Sequence, residues 1–509
     1  MAYLLGIDIG TSGTKVIAID EGGKLVASAG AEYELSTPRP LWAEQNALDW
    51  WDATCKCCRE IVAEIGADDI AGIGLSGQMH GLVMLDKNHQ VLRPAILWCD
   101  QRTQKQCDWM TEVVGKDLLV SETANPVLTG FTAPKILWVR DNEPEIYERA
   151  VMYLLPKDYV RFRLTGEFAT EVSDASGTSL LNVPERKWSE KVCEKIGVDL
   201  NHLPRVYESF EISGRISSLG AAATGLKAGT PVVGGGGDQA AGAVGNGIVQ
   251  SGIISVAMGT SGVVFAFSDT PVIDPQLRVH TFCHAVPNKW HVMGVMLSAG
   301  GSLRWYRDTL CRPEVRVAQL MQTDPYELIA REAATAAPGS DGLFFLPYLT
   351  GERTPHPDPL ARGAFIGLNL LHTKAHMARS VMEGVSYGLR DSLEIFKSMD
   401  ISIGNVRANG GGAKSEVWRQ ITADIFGFPL STIAIDEGPA LGVALLAGVG
   451  AGIYSGVEEA CSAVVKVTRG ASVVEENARI YEKNYQVYRA LYPALKESFA
   501  QIENLNTGI

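Results

Sequence analysis

Asp238 follows four consecutive glycines, Gly234 to Gly237, and begins a segment of small residues that predicts a helix. Glycines let a backbone pass close to a ligand because they carry no Cβ. A carboxylate at this point can accept the proton of a substrate hydroxyl as that hydroxyl attacks a phosphate. The alternative is a simple helix N-cap, but a cap does not need four preceding glycines. We therefore interpret Asp238 as a candidate catalytic base.

The tetrapeptide Gly-Thr-Ser-Gly occurs twice, at residues 10–13 and 259–262, each time between two apolar segments. Small residues in a turn allow backbone N–H groups to point at phosphate oxygens, and Thr11 and Ser12 add hydroxyl donors. Asp8, at the end of the preceding strand, could hold Mg²⁺ through water because hard cations prefer oxygen ligands. A plain hairpin turn is the structural alternative. The first motif is neither a Walker A loop nor a Rossmann fingerprint, since the required glycine spacings and following helix are absent.

Two further segments have residues suited to ligand binding. Gly410 to Gly412 precede a predicted helix over residues 416–426, and such a triplet can lie flat against a nucleotide, although a lone triplet is more often a turn. His80 follows a predicted strand and offers a neutral donor and acceptor to a sugar hydroxyl. A lone histidine is usually structural, but open α/β sheets bind ligands at strand ends.

The elements that would position these residues form two similar series. The first contains three strands, a helix opened by Asn46 as N-cap, and another strand, at residues 3–9, 14–20, 24–35, 47–65 and 70–75. This order predicts a mixed sheet with helices on its faces. Strands at 252–258 and 263–268 restart the pattern around the second Gly-Thr-Ser-Gly turn, which indicates an internal duplication. Two like domains facing each other would place both turns at one cleft.

Three other segments complete the predicted organisation. Residues 232–247, dense in Gly and Ala, are expected to carry the domain junction. The apolar stretch 440–453 is shorter than the ~20 residues that a membrane span needs and predicts a close-packed helix. The tail, residues 457–509, has charged helical character and is expected to pack back on the body.

Composition excludes some classes of partner. The net charge of −13 argues against nucleic acid, whose phosphates require surplus Lys and Arg. An acidic protein can still bind ATP through backbone N–H groups and Mg²⁺. Nine scattered cysteines, no signal peptide and no membrane span predict a protein of the reducing cytoplasm. Cys55, Cys57 and Cys58 form the one cysteine cluster, which we assign to a partly buried helix face rather than to zinc.

Two segments, residues 130–142 and 363–383, resemble the paired signatures of the FGGY carbohydrate kinases, and the resemblance extends from Leu4 to about Ala447. Residues 77–81, 97–102, 155–159 and 346–355 are most similar to family members that act on D-xylulose. The resemblance implies an α/β fold of two ribonuclease-H-like (actin-like ATPase) domains around a central cleft. Residues 1–247 would form the sugar-binding side, and residues 248–509 the nucleotide-binding side with C-terminal helices.

The resemblance also implies a site for a sugar, ATP and Mg²⁺, with Asp238 as the base and no membrane partner. The sugar would contact Met79, His80, Trp98, Arg102, Asp238 and Gln239. The nucleotide would contact Gly10, Thr11, Ser12, Gly13, Lys15, Gly259, Thr260, Ser261, Gly300, Gly411, Gly412 and Ser415. Asp8 would hold Mg²⁺ through water, and a homodimer is compatible with the family.

Alternatives remain open at the level of substrate and class. Gln239 stands where some D-xylulose enzymes carry Asn, and other members have Gln there, so ribulose, gluconate, fuculose and glycerol remain candidate substrates. An actin-like conformational ATPase would share the phosphate turns but would lack a sugar pocket. Asp238 together with residues 78–80 favours the kinase. A sugar-sensing repressor would need a helix-turn-helix, for which we expect no room before the first strand.

Overall fold

The computed structural model describes residues 2–435 and 437–506, and two large β-sheets organise them. The strands of the first half are β1 (Tyr3–Ile9), β2 (Gly13–Asp20), β3 (Leu25–Glu32), β4 (Glu44–Gln45), β5 (Ile70–Gly77), β6 (Val83–Leu85), β7 (Ala95–Ile96), β8 (Met152–Leu154), β9 (Ala169–Glu171), β10 (Leu181–Asn182), β11 (Lys187–Trp188), β12 (Arg205–Tyr207), β13 (Ile212–Arg215), β14 (Pro231–Val233) and β15 (Gly236–Gly237). Its helices are α1 (Ala47–Ile65), α2 (Gln104–Val114), α3 (Lys116–Thr123), α4 (Thr132–Asn142), α5 (Pro144–Arg149), α6 (Pro156–Thr165), α7 (Val172–Ala175), α8 (Glu190–Ile196), α9 (Ser218–Thr224) and α10 (Asp238–Gly245).

The second half contains fewer strands and longer helices. Its strands are β16 (Gly252–Met258), β17 (Gly262–Ser268), β18 (His280–Cys283), β19 (Trp290–Met296), β20 (Phe344–Leu346), β21 (Ala364–Ile366), β22 (Ile403–Asn409), β23 (Leu430–Ile433) and β24 (Val467–Ala471). Its helices are α11 (Gly300–Leu310), α12 (Arg312–Met321), α13 (Pro325–Ala333), α14 (Lys374–Ser398), α15 (Glu416–Phe426), α16 (Gly438–Gly450), α17 (Val457–Val464) and α18 (Glu475–Asn506).

The two large sheets share one topology. The first has the order β13-β14-β5-β1-β2-β3, with β15 paired to β5, and the second has the order β18-β19-β17-β16-β22-β23-β24. In each sheet three strands form an antiparallel meander, and two further strands continue parallel to the first strand of the meander. Strands β3-β2-β1-β5-β14-β13 therefore correspond in order and direction to β19-β17-β16-β22-β23-β24. The predicted duplication and the mixed α/β sheets are confirmed.

Helix α1 shows how local sequence sets these elements. It spans Ala47–Ile65 as predicted, and the Asn46 side chain accepts the N–H of Leu48 at 3.2 Å, which caps the first turn. Its three cysteines are buried on one element, in agreement with a helix face. The third strand is shorter than expected, because β3 ends at Glu32 rather than at Leu35.

Helix α16 joins the two halves. It belongs to the second half, yet it packs on β1, β5 and α10 of the first. A Cβ at Gly442 would stand 1.8 Å from the Ala241 carbonyl oxygen, and a Cβ at Gly6 would stand 1.8 Å from that of Ala440, so these approaches require glycine. The predicted close-packed helix is confirmed, and in residues 2–435 and 437–506 no helix has the length and apolarity to cross a membrane. The domain boundary at residue 247 stays a prediction.

The tail packs back on the second half, as expected. Tyrosines of α18 are buried against α14, where the hydroxyl of Tyr481 donates to Glu383 at 2.8 Å and that of Tyr485 donates to Asp391 at 2.6 Å. The tail also contributes β24, an edge strand that the charged pattern of this segment did not predict.

Candidate active site

The carboxyl ends of three neighbouring parallel strands converge at one edge of the first sheet. In the registers of β1, β5 and β15, Ile9 lies opposite Gly77 and Gly77 lies opposite Gly237. The segments that follow these residues contain the first Gly-Thr-Ser-Gly turn, the residues Gln78 to His80, and Asp238. Crevices at such strand ends are where open α/β sheets bind ligands. The sheet register therefore brings together motifs that are up to 230 residues apart in sequence.

The turn at residues 10–13 is braced by side chains from three other segments. The Tyr33 hydroxyl donates to the Gly10 carbonyl at 2.6 Å, the Gln45 amide donates to the Thr11 carbonyl at 2.7 Å, and the Trp98 indole donates to Thr11 Oγ1 at 3.0 Å. Trp98, a predicted sugar contact, is 39% exposed beside this turn. The turn is thus held in one shape before any ligand arrives.

Asp8 and Asp238 form a pair of interacting carboxyl groups. Burial raises the pKa of Asp8 to about 6, although Ser76 and Lys15 act in the opposite direction. Burial, and then the negative charge of Asp8, raises the pKa of Asp238 to about 7. A carboxyl group whose pKa lies near neutrality is suited to proton transfer.

Asp8 also fits the predicted role of a residue that holds a divalent cation. Asp8 Oδ1 is buried and has no hydrogen-bond partner among the described residues. A hard cation such as Mg²⁺ prefers carboxylate oxygens, and it is normally held by one or two carboxylates, waters and substrate phosphates. In the described part of the chain there is no group of three or more ligand residues that could form an all-protein metal site.

His80 is held in an unusual backbone conformation. Its φ is 68°, a region that non-glycine residues rarely adopt and that often marks functional sites. Nδ1 lies 2.6 Å from the Gly177 carbonyl oxygen, and because a carbonyl only accepts, Nδ1 carries the proton and donates. The ring stacks on Phe131 at 4.7 Å, and burial lowers its pKa to about 3, so the imidazole is neutral. Nε2 is left as an acceptor for a ligand hydroxyl.

Lys135 stabilises the backbone conformation of His80 through hydrogen bonds. Its fully buried ammonium group donates to the carbonyl oxygens of His80 at 2.8 Å and Gly130 at 2.6 Å, and burial lowers its pKa to about 7. Thr132 also donates to the His80 carbonyl, at 3.1 Å. Lys135 stands inside a segment that carries the family resemblance, but nothing in the sequence assigned it this role.

A buried ionic cluster lies beneath the glycine strand that leads to Asp238. Lys157 Nζ contacts Asp158 at 2.7 Å, Asp174 at 2.9 Å and Glu171 at 3.6 Å, and Arg161 contacts Asp158 at 2.9 Å, with all five side chains fully buried. The cluster holds the strand directly, because Arg161 also donates to the carbonyl of Gly234 and Ser173, a partner of Glu171, accepts the N–H of Gly237 at 3.1 Å. The position of Asp238 therefore depends on charges that the sequence did not reveal.

The second half contributes a cavity of about 910 Å³ that faces its own turn. Six predicted nucleotide residues line it, namely Gly259, Thr260, Gly300, Gly411, Gly412 and Ser415. A cavity of this size and mixed polarity is adequate for a nucleotide.

The three glycines after β22 differ in whether the fold could accept a side chain at their position. Gly410 has a φ of 81°, and a Cβ at Gly412 would stand 2.9 Å from Met258 Cβ, so both are fixed by the protein itself. A Cβ at Gly411 would meet nothing within 4 Å, and Gly411 borders the cavity. Ser415 is partly committed as the N-cap of α15, where it accepts the N–H of Trp418 at 3.3 Å.

Four predicted residues are placed differently from the rest. Ser12 and Ser261 are exposed at corresponding points of the two turns, and Lys15 forms an ion pair with Glu437 of the second half.

The structure does not bring Arg102 to the sugar side. Its guanidinium contacts Asp100 and Glu44, both at 2.7 Å, and its side chain is only 1% exposed. This geometry commits the Arg102 guanidinium group to two carboxylates of its own domain and indicates a structural role.

The known proteins that resemble this chain belong to one family, and their names specify different substrates. Models of the FGGY family of carbohydrate kinases match residues 3–245 (N-terminal domain) and 254–451 (C-terminal domain). The xylulose kinase of Bacillus subtilis (strain 168) is 41% identical over 512 residues, which cover 100% of this chain and 99% of that protein. A gluconokinase of the same strain is 32% identical over 510 residues, with the same coverage. The crystal structure of ligand-bound xylulose kinase from Lactobacillus acidophilus superposes with a TM-score of 0.91 at 27% identity, covering 99% of this chain and 100% of that one.

Proposed function

Because the chain belongs to the FGGY family of carbohydrate kinases, we propose that it transfers the γ-phosphate of ATP to D-xylulose and releases D-xylulose 5-phosphate. The observation that favours D-xylulose as the substrate is the sequence identity, which at equal coverage is higher to the xylulose kinase than to the gluconokinase. The topology is compatible with a kinase of this family, since Asp238 and the cavity of about 910 Å³ belong to two halves with similar sheets.

In the proposed reaction Asp238 is the general base. The sugar hydroxyl attacks the γ-phosphorus, its proton passes to Asp238, and the bond to the β,γ-bridging oxygen breaks to release ADP. The raised pKa of Asp238, about 7, is compatible with a base that is ionised in much of the enzyme at neutral pH. Bringing the two halves together would align the reactants and exclude water, which is a competing acceptor.

The remaining residues of the first half orient the sugar. His80 offers Nε2 as an acceptor, Met79 lies beside it, and Gln239 follows the base on α10. Mg²⁺ bound with ATP would neutralise phosphate charge, and Asp8 is the residue that would hold it, through water. The turns at residues 10–13 and 259–262 would contact the phosphates from opposite sides.

A panel of sugars with coupled detection of ADP tests the proposed substrate. We expect the highest kcat/KM for D-xylulose among D-xylulose, D-ribulose, L-ribulose, L-fuculose, gluconate and glycerol. A higher value for any other compound would overturn the substrate assignment but keep the kinase. Gluconate is the second candidate, because the gluconokinase aligns with the entire chain.

His80→Ala is expected to weaken sugar binding more than nucleotide binding. The substitution removes the acceptor Nε2 and the stacking on Phe131, so we expect KM for the sugar to rise about tenfold, as for the loss of one hydrogen bond and its packing. KM for ATP should change less than twofold. Initial rates at varied sugar and varied ATP separate the two, and an equal loss for both substrates would instead indicate a structural role.

Gly411→Leu is expected to act on the nucleotide alone. Apart from its chain neighbours, no described residue lies within 4 Å of the added Cβ, so the fold should accept the side chain while the cavity loses volume. We expect KM for ATP to rise at least about tenfold with KM for the sugar unchanged, a loss similar to that of one buried contact. Gly456→Leu is the control, since a Cβ at Gly456 would meet the flexible Glu458 carboxylate at an ordinary contact distance of 3.6 Å, and Gly456 does not line the cavity.

We also propose a cytoplasmic location, where ATP and a reducing environment are available. All nine cysteines are unpaired, which is compatible with that compartment. A homodimer stays a prediction that sedimentation or light scattering can test.

A further inference from the structure

Arg353 is a half-buried cation whose side chain has no partner among the residues that the structure describes. It lies between β20 and β21, and its guanidinium group makes no hydrogen bond or ion pair with any other described residue. Other enclosed arginines of this chain are paired, as Arg161 is with Asp158 and Arg379 with Glu383. A charge removed from water is costly unless an opposite charge or a hydrogen-bond acceptor compensates it. The unpaired guanidinium therefore indicates that its partner is a ligand.

The backbone around Arg353 is clamped beside the second phosphate turn. The Glu352 carboxyl group accepts the N–H of Leu297 at 3.0 Å and that of Arg353 at 2.7 Å. Thr354 exchanges two hydrogen bonds with Val295, through its N–H at 3.0 Å and its Oγ1 at 3.1 Å. These contacts fix Arg353 at the end of β19, where Met296 lies opposite Gly262, the last residue of the turn.

The same guanidinium is also close to the sugar side of the cleft. Its positive charge contributes to lowering the pKa of His80 and of His280, although burial is the larger cause in both. Both rings stay neutral, so they cannot compensate the charge. Arg353 thus stands between the turn that we assign to the nucleotide phosphates and the histidine that we assign to the sugar.

We propose that Arg353 binds the transferring phosphoryl group, first as the γ-phosphate of ATP and then as the phosphate of the sugar product. This inference rests on the proposed kinase function. A guanidinium group offers several donors in a fixed plane and binds phosphate oxygens in a bidentate manner. Its charge would oppose the negative charge on the phosphoryl oxygens while the hydroxyl oxygen bonds to phosphorus and ADP leaves.

The variant Arg353→Met tests whether Arg353 contacts the phosphoryl group or the sugar. We expect kcat to fall about a hundredfold, as for the loss of one transition-state donor. The affinity for D-xylulose, measured by calorimetry, should change less than about threefold, whereas that for D-xylulose 5-phosphate should fall at least about tenfold. Arg353→Lys keeps the positive charge but lacks the planar group that binds phosphate through two donors at once. We expect it to recover part of the affinity for the sugar phosphate.

Arg278→Met is the matched control, because Arg278 is close in space but paired with Asp274. It should keep kcat and both affinities within about twofold. Unchanged kcat in Arg353→Met, or equal losses for sugar and sugar phosphate in both Arg353 variants, would overturn the proposal. If the wild-type protein phosphorylates no sugar of the panel, the kinase assignment itself fails, which is a different outcome.

Discussion

Asp238→Asn is expected to lower kcat by about 10²–10⁴-fold, the usual contribution of a general base. Asparagine keeps the shape of the side chain but cannot take the hydroxyl proton. Binding of sugar and ATP should stay close to that of the wild type, because the glycine strand and the ionic cluster beneath it are unchanged. Single-turnover rates with the preferred sugar, together with equilibrium binding of both ligands, measure the effect.

Two observations distinguish a lost base from a disturbed helix. Asp117→Asn removes an exposed carboxylate from the first turn of another helix, α3, and should leave kcat unchanged. In the wild type, kcat/KM should rise with pH until Asp238 is ionised, near pH 7, and then level off, since only the ionised carboxylate accepts a proton. Near wild-type turnover by a folded Asp238→Asn protein would contradict the catalytic assignment.

Local sequence was sufficient for the elements and for the backbone motifs of the site. Helix α1 and strand β16 have the predicted bounds, because an N-cap and apolar runs between glycine turns are local signals. The two Gly-Thr-Ser-Gly turns and the glycines before Asp238 could be found for the same reason. A ligand that contacts backbone needs small residues in sequence, and those are visible without a fold.

The support of the site could not be predicted, because it consists of long-range contacts. Lys135 reaches His80 across 55 residues and Arg161 reaches Gly234 across 73. A lysine or arginine in sequence predicts an exposed charge, and only the fold shows that it is buried. Arg102 is the opposite case: the family resemblance implied a sugar contact, whereas in the structure its guanidinium group forms ion pairs with Asp100 and Glu44.

The contact between the two halves could not be predicted from the sequence either, because it is also long-range. The small residues of 440–453 predicted a packed helix, but not that α16 would lie against the first sheet. Helix packing depends on which surface a glycine faces, and that surface is formed by β1 and α10, about 200 residues or more away in sequence.

Lys157→Met is expected to lower the free energy of unfolding by about 3–5 kcal/mol, the cost of removing one partner from a buried ion pair. Lys157 contacts three carboxyl groups, and without it the buried negative charges of Asp158 and Glu171 would lose a cation and keep Arg161, which pairs with Asp158. Urea unfolding measures the change. Lys191→Met is the control, since the Lys191 side chain is 68% exposed and Asn182 and Ser189 still donate to its buried partner Glu122. Because water screens the lysine, we expect a loss of about 0–1 kcal/mol.

The charge of this cluster also determines how its stability depends on pH. Burial raises the pKa of Asp174 to about 8, so the folded protein keeps a proton that the unfolded chain releases near its ordinary value of 3.8. The free energy of unfolding should therefore fall as pH rises from about 4 to 8, and Asp174→Asn should reduce that slope. With Asp174 protonated, two cations face two anions, and the strand before Asp238 rests on a neutral cluster. Equal stability losses in Lys157→Met and Lys191→Met would show instead that the cluster is hydrated and does not hold the base in place.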